Sequence, residues 1–166
     1  IRSIAVSTVE YMRTIREKYS KMGYAPYGWH EATEAPPWTP LAKPLSECRV
    51  GMMTTAGTYV AGQEAYFYKD DTSHRPIPSN TPVENLRFSH LTENYLPDAR
   101  RDPNCAFPIE PLRQLVDEGV IGGLADNFFS CMGAVYSKRR VDEEVAPAIY
   151  EAFAKEGVDV AYLVPL

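Results

Sequence analysis

The side chains of this chain best suited to chemistry are few: three cysteines, three histidines, and an arginine set beside prolines. Cys105, in "DPNCAFPI" (102–109), precedes a helical pattern whose N-terminus could lower its pKa and make it a nucleophile. A thiol in that setting is also commonly a small buried hydrophobe, and Cys131 in "SCMGAV" has the same two readings. With Cys48 far from both, there is no C-x-x-C pair and no Cys/His cluster with zinc spacing, so no metal site is expected. "HEATE" (30–34) lacks the second histidine of a zinc-protease helix and is set aside. His90, after Ser89, could act as a general base or donate a hydrogen bond to a carboxylate; it could equally cap a loop. Arg75, in "DDTSHRPIPSN", suits bidentate carboxylate recognition, whereas its spacing favours a loop-tethering ion pair with Asp70 or Asp71. The small residues of "TTAG" (54–57) could admit an anion to backbone amides, and Asp102 or Asn104 could cap a turn or helix start.

These residues need elements to hold them. Ile4, Met12, Ile15, Tyr19 and Met22 recur at helical spacing, and Gly23 supplies a stop. Prolines 26, 36, 37, 40 and 44 then exclude regular structure and predict an extended arm, pinned by Trp29 and Trp38. Strand signals follow at 48–57, 85–91, 120–130 and 158–165, the third weakened by paired glycines. "FPIEPLRQLVDEG" (107–119) and "VDEEVAPAIYEAFAKEG" (141–157) read as helices, the second with Asp142 as N-cap and a kink or late start at Pro147. Two consecutive strand–helix–strand units predict an α/β fold: an open, mostly parallel sheet with helices on both faces, incomplete at the C-terminus. The expected division is an N-terminal helix and arm over 1–47 and an α/β domain over 48–166 whose C-terminal part is missing. In a parallel sheet the C-terminal strand ends would collect Thr54, Thr55 and Gly57, Ser89 and His90, Ser130 to Gly133, and the chain end. The loop from 58 to 84 is long enough to suspect function.

A net charge of −5 and a pI near 5.2 argue against a nucleic-acid partner or an anionic membrane surface. No apolar run approaches the ~20 residues that span a bilayer. The mixed-charge first segment is not a signal peptide, and an acidic chain with unpaired thiols reads as cytoplasmic. Beginning at Ile1 suggests a processed, trimmed or fragmentary chain.

Taken in order, "PPWTPLAKPLSECRVGMMTTAG", "DTSHRPIP", "FSHLTEN", "DPNCAFPIEPLRQLVDEGVIGGLADNFFSCMGA" and "EGVDVAYLVP" resemble the selenoprotein B family of glycine, sarcosine and betaine reductases and D-proline reductase. The resemblance runs from about Trp38 to Leu166. It implies an oxidoreductase that cleaves a C–N bond. A pyruvoyl group on a partner subunit activates the substrate amine, a selenocysteine or cysteine attacks the α-carbon, and a thiol or thioredoxin-like reductant restores the nucleophile. In the family that nucleophile directly follows the strand ending in "LVP", so the resemblance places it just past Leu166, where a UGA codon would be read as a stop. The 166 residues as written are then expected to be inactive. Carried onto matching positions, the resemblance implies Arg75 for the substrate carboxylate and His90 for orienting or protonating substrate. Thr55, Gly57 and Asn104 would shape the pocket, with Ser130 and Met132 beside it. Two other readings remain open: a non-catalytic ligand-binding or assembly subunit, and a different α/β enzyme using Cys105 or Cys131.

Overall fold

The structure, a computed structural model, describes residues 10–26 and 33–166. Ile4, Trp29 and most of "HEATE" lie outside them. The chain divides into two units, Ile1–Thr39 and Pro40–Leu166. In the first, helix α1 (Tyr11–Lys21) forms where the apolar spacing predicts it. Trp38 is 86% exposed. No helix or strand forms between 33 and 44, as the prolines require.

The second unit is built around β1 (Arg49–Thr54). On one edge β1 pairs in parallel with β7 (Val160–Val164), from Val50↔Val160 to Thr54↔Val164. On the other it pairs in parallel first with β5 (Gly123–Leu124), then with β6 (Asn127–Cys131). From Arg49↔Gly123 to Met53↔Phe129, β1 advances four residues and its partner six, so two extra residues are absorbed at Ala125–Asp126. The third strand signal is thus one strand interrupted at Ala125–Asp126, after the paired glycines.

β3 (His74–Pro78) runs antiparallel to β6, pairing Arg75 with Ser130. It lies within the expected long loop; Pro76 and Pro78 hide its strand character, yet both are tolerated because β3 is an edge. The expected strand at 85–91 is a correction. β4 (Leu86–Phe88) is not in the main sheet but pairs antiparallel with β2 (Thr58–Val60) in a separate two-stranded sheet. A run this short carries no mark of its partner. The parallel crossovers that do form run from β1 to β5 and from β6 to β7.

Alternation along the strands divides the core. Val50, Met52, Ile77 and Phe128 meet Ile109 and Leu112 of α3 (Ile109–Asp117); α2 (Pro97–Arg101) precedes that helix. Phe129 and Cys131 point to the opposite face and pack on Val145, Ile149 and Phe153. These belong to a helix that begins as α4 (Lys138–Arg140), widens into a π turn (Val141–Val145) and continues as α5 (Ala146–Lys155). Ser137, not Asp142, caps it by accepting the Arg140 N–H. The π turn ends where Pro147, which has no N–H to donate, enters the first turn of α5. The fold is therefore α/β, with a mixed, mostly parallel sheet and helices on both faces. Among the described residues no helix is long and apolar enough to cross a membrane. β7 is an edge strand, with Tyr162 and Leu163 exposed.

Candidate functional site

Where β1, β6 and β7 finish, their backbones are laced together. The Thr55 N–H donates to the Val164 carbonyl (3.1 Å), and the Gly133 N–H donates to the Thr55 carbonyl (2.9 Å). The Leu166 N–H donates to the Thr55 hydroxyl oxygen (2.9 Å). Gly57 then ties the small sheet to this rim: its N–H donates to Cys131 O and its carbonyl accepts from Ser89 N–H, each at 3.0 Å. Only glycine serves there. The backbone has φ of +63°, and a Cβ would press into the Ser89 carbonyl. The contact delivers the next residue, His90, to the rim.

His90 is 6% exposed. Its Nδ1 accepts the Thr92 N–H (3.1 Å) and contacts the Thr92 hydroxyl (2.7 Å). Because Nδ1 accepts, the neutral ring carries its proton on Nε2. That Nε2 is buried and has no partner among the described residues. It faces the Cα of Gly133: a Cβ built there would stand 2.9 Å from Nε2, 3.0 Å from Thr55 O and 3.3 Å from Leu166 O. Burial pushes the His90 pKa below the usual histidine value, and the nearby Glu93 carboxylate opposes this. Buried donors are nearly always paired, so this one marks a place for an acceptor.

The remaining expected residues divide. Thr55 lies at the rim, and Met132 is buried behind Gly57. Ser130 is fully buried and structural: its hydroxyl accepts the Thr58 N–H (2.7 Å) and its carbonyl accepts the Tyr66 hydroxyl (2.6 Å). Asn104 brackets the start of α3, accepting from Glu110 N–H and donating to the Asp102 and Glu110 carboxylates. Arg75 makes no ion pair with Asp70 or Asp71. Its Nε donates to Glu64 O (2.9 Å), its Nη1 to the Ser73 hydroxyl (2.7 Å), and its guanidinium lies 4.4 Å from the Tyr66 ring centre.

Neither Cys105 nor Cys131 is held below the ordinary thiol range. Burial raises the Cys131 pKa to about 11. Cys105 is exposed, but partial burial and the carboxylates of Asp102 and Asp98 raise its pKa, against the lowering expected from a helix N-terminus. Cys48 is buried and donates to Pro44 O (3.3 Å). Among the described residues no three His, Cys, Asp or Glu gather to hold a metal. Two further residues shape the site: Thr92, which fixes the His90 tautomer, and Tyr66, which links Ser130, Arg75 and Ser89. The H-x-T spacing is a signal for the first, since threonine readily folds back on a neighbour two residues away.

Over 131 residues the chain is 34% identical to "D-proline reductase subunit gamma" of Acetoanaerobium sticklandii, covering 79% of this chain and 54% of that one. The chain is a relative of that reductase subunit. The resemblance carried by the ordered motifs is borne out. The chain spans about half the length of this curated relative. No family model and no solved structure matches it.

Proposed function

We propose that this chain is the substrate-facing part of a reductase subunit that cleaves a C–N bond reductively, with D-proline or a related amino acid or amine as substrate. The supporting observation is the buried, unpartnered His90 Nε2 at the strand-end rim of a chain homologous to a D-proline reductase subunit. In the net reaction the C–N bond gives way to C–H and N–H. Two electrons and two protons come from a dithiol, which becomes a disulfide. The first step needs a chalcogen nucleophile of low pKa at the substrate α-carbon. Cys48, Cys105 and Cys131 do not fit that task, being buried or held above the ordinary thiol range. The selenol or thiol is therefore assigned to a residue outside this sequence, adjoining the rim. A pyruvoyl group on a partner subunit belongs to the same reading, and no residue of this chain is asked to hold it. Thr55, Gly57 and His90 would face the substrate, while Ser130, Met132, Asn104 and Arg75 would support the walls.

The test is turnover. The full source protein, purified with its partner under reducing conditions, is given dithiothreitol and, in turn, D-proline, glycine, sarcosine and betaine. Release of the opened amino acid or free amine from one of them is expected. No product from any of the four, with the partner carrying its pyruvoyl group, overturns the reading. It would favour a ligand-binding or assembly subunit, which the absence of an activated thiol among the described residues also fits.

A further inference from the structure

Substrate recognition needs a group for the ligand's acidic end, and Arg75 is already engaged by Glu64, Ser73 and Tyr66. Two neutral donors on the rim are not. The His90 Nε2–H is buried without a partner among the described residues, its tautomer fixed by the Thr92 N–H on Nδ1. The Thr55 hydroxyl oxygen accepts from Leu166 N–H at 2.9 Å. Its own proton has only a 3.5 Å contact with Leu166 O, beyond the ordinary reach of an O–H···O bond. Gly133, having no side chain, leaves beside Nε2 a small space that a Cβ would fill, bordered also by Thr55 O and Leu166 O.

We propose that the His90 Nε2–H and the Thr55 hydroxyl form a two-donor clamp for one carboxylate of the ligand, with His90 a fixed donor and not a proton-transfer group. This rests on the reading of the chain as a reductase subunit. Proton transfer through His90 would require protonating Nδ1, where the Thr92 N–H already points. A carboxylate accepts from several donors at once and makes stronger bonds than a neutral oxygen, so two uncharged donors suffice to orient it.

The experiment reads binding and not turnover. The full-length protein is labelled with 15N-histidine, and the His90 ring signals are assigned with His90→Gln. Three probes are compared: D-proline, cyclopentanecarboxylate (which lacks the amine) and pyrrolidine (which lacks the carboxylate). The free protein should carry the His90 proton on Nε2. D-proline and cyclopentanecarboxylate should shift that resonance, and pyrrolidine should leave it in place. His90→Leu and Thr55→Val should each weaken cyclopentanecarboxylate binding about tenfold, the loss of one charge-assisted hydrogen bond. His90→Gln and Thr55→Ser, which keep a donor, should stay within about threefold. A proton on Nδ1, a response to pyrrolidine alone, or signals indifferent to both carboxylates would overturn the clamp, the last meaning that only water meets Nε2. Should His90→Leu fail to fold, the Thr55 pair and the wild-type shifts still decide. Carboxylate shifts without C–N cleavage would overturn the functional reading and leave the clamp standing. Cleavage without those shifts would do the reverse.

Discussion

Gly57→Ala should be among the most damaging single-atom additions this fold can receive. Three costs combine there. An L-residue held at φ +63° loses about 1–2 kcal/mol to left-handed backbone strain. The new methyl meets the Ser89 carbonyl, a backbone atom that cannot swing away as a side chain would; such overpacking costs about 1–3 kcal/mol. Relief requires lengthening the 3.0 Å bond from Ser89 N–H to Gly57 O, worth about 0.5–1.5 kcal/mol. The sum is about 2.5–6.5 kcal/mol, a large share of the ~5–15 kcal/mol that holds a typical domain folded. Gly62→Ala is the control. Its backbone is also left-handed, with φ of +99°, but nothing lies within 4 Å of the new Cβ, so the backbone term alone remains. Urea unfolding followed by circular dichroism gives both values. A Gly57→Ala variant no less stable than Gly62→Ala would refute the idea that this contact locks the small sheet, and His90 with it, to the rim.

Other outcomes follow from the same geometry. Phe128→Ala should cost about 3–5 kcal/mol in urea unfolding, because the ring is fully buried between the sheet and α3. Limited alkylation near pH 8 should label exposed Cys105 well before Cys131, whose thiol titrates near 11; mass spectrometry of the peptides gives the order. His90 has a depressed folded-state pKa, so the unfolded chain binds its proton first. Its contribution is complete above the unfolded value of about 6.5 and is lost as pH falls below it. His90→Gln should flatten that part of the stability–pH curve. The remaining slope there should come from His74, which burial also depresses.

Much of the architecture was legible because its signals are local. Ile109, Leu112, Leu115 and Val116 mark one face of α3, and Gly119 marks its end. The apolar run at 49–54 announces β1. What escaped depends on partners. β4 was expected in the parallel sheet, yet three residues between turns say nothing about which strand they join. β3 was masked by prolines that only an edge accepts. The helix before β7 was expected to begin at Asp142, but Ser137 starts it and a π turn intervenes ahead of Pro147. At the rim, Thr55 could be named from a strand end, whereas His90 arrives there through the Gly57–Ser89 contact and not from a strand of the main sheet. The H-x-T spacing signals the Thr92 bond to His90, and Gly133 lies just past a strand end, but the closeness of Gly133 to the His90 ring arises from folding through space. The chemistry of Arg75 is legible in its sequence, whereas the Glu64, Ser73 and Tyr66 contacts of its guanidinium appear only in the fold.

Reductive C–N cleavage is tested most directly by following hydrogen. The complete source protein with its partner is incubated with D-proline and a dithiol in deuterated water, and the product is examined by mass spectrometry. Reductive opening predicts a straight-chain amino acid carrying one deuterium on the carbon that lost nitrogen, with the yield sharply reduced by His90→Leu and largely restored by His90→Gln. Recovery of unopened D-proline, with glycine, sarcosine and betaine also left intact, in a preparation whose partner carries its pyruvoyl group, would contradict it.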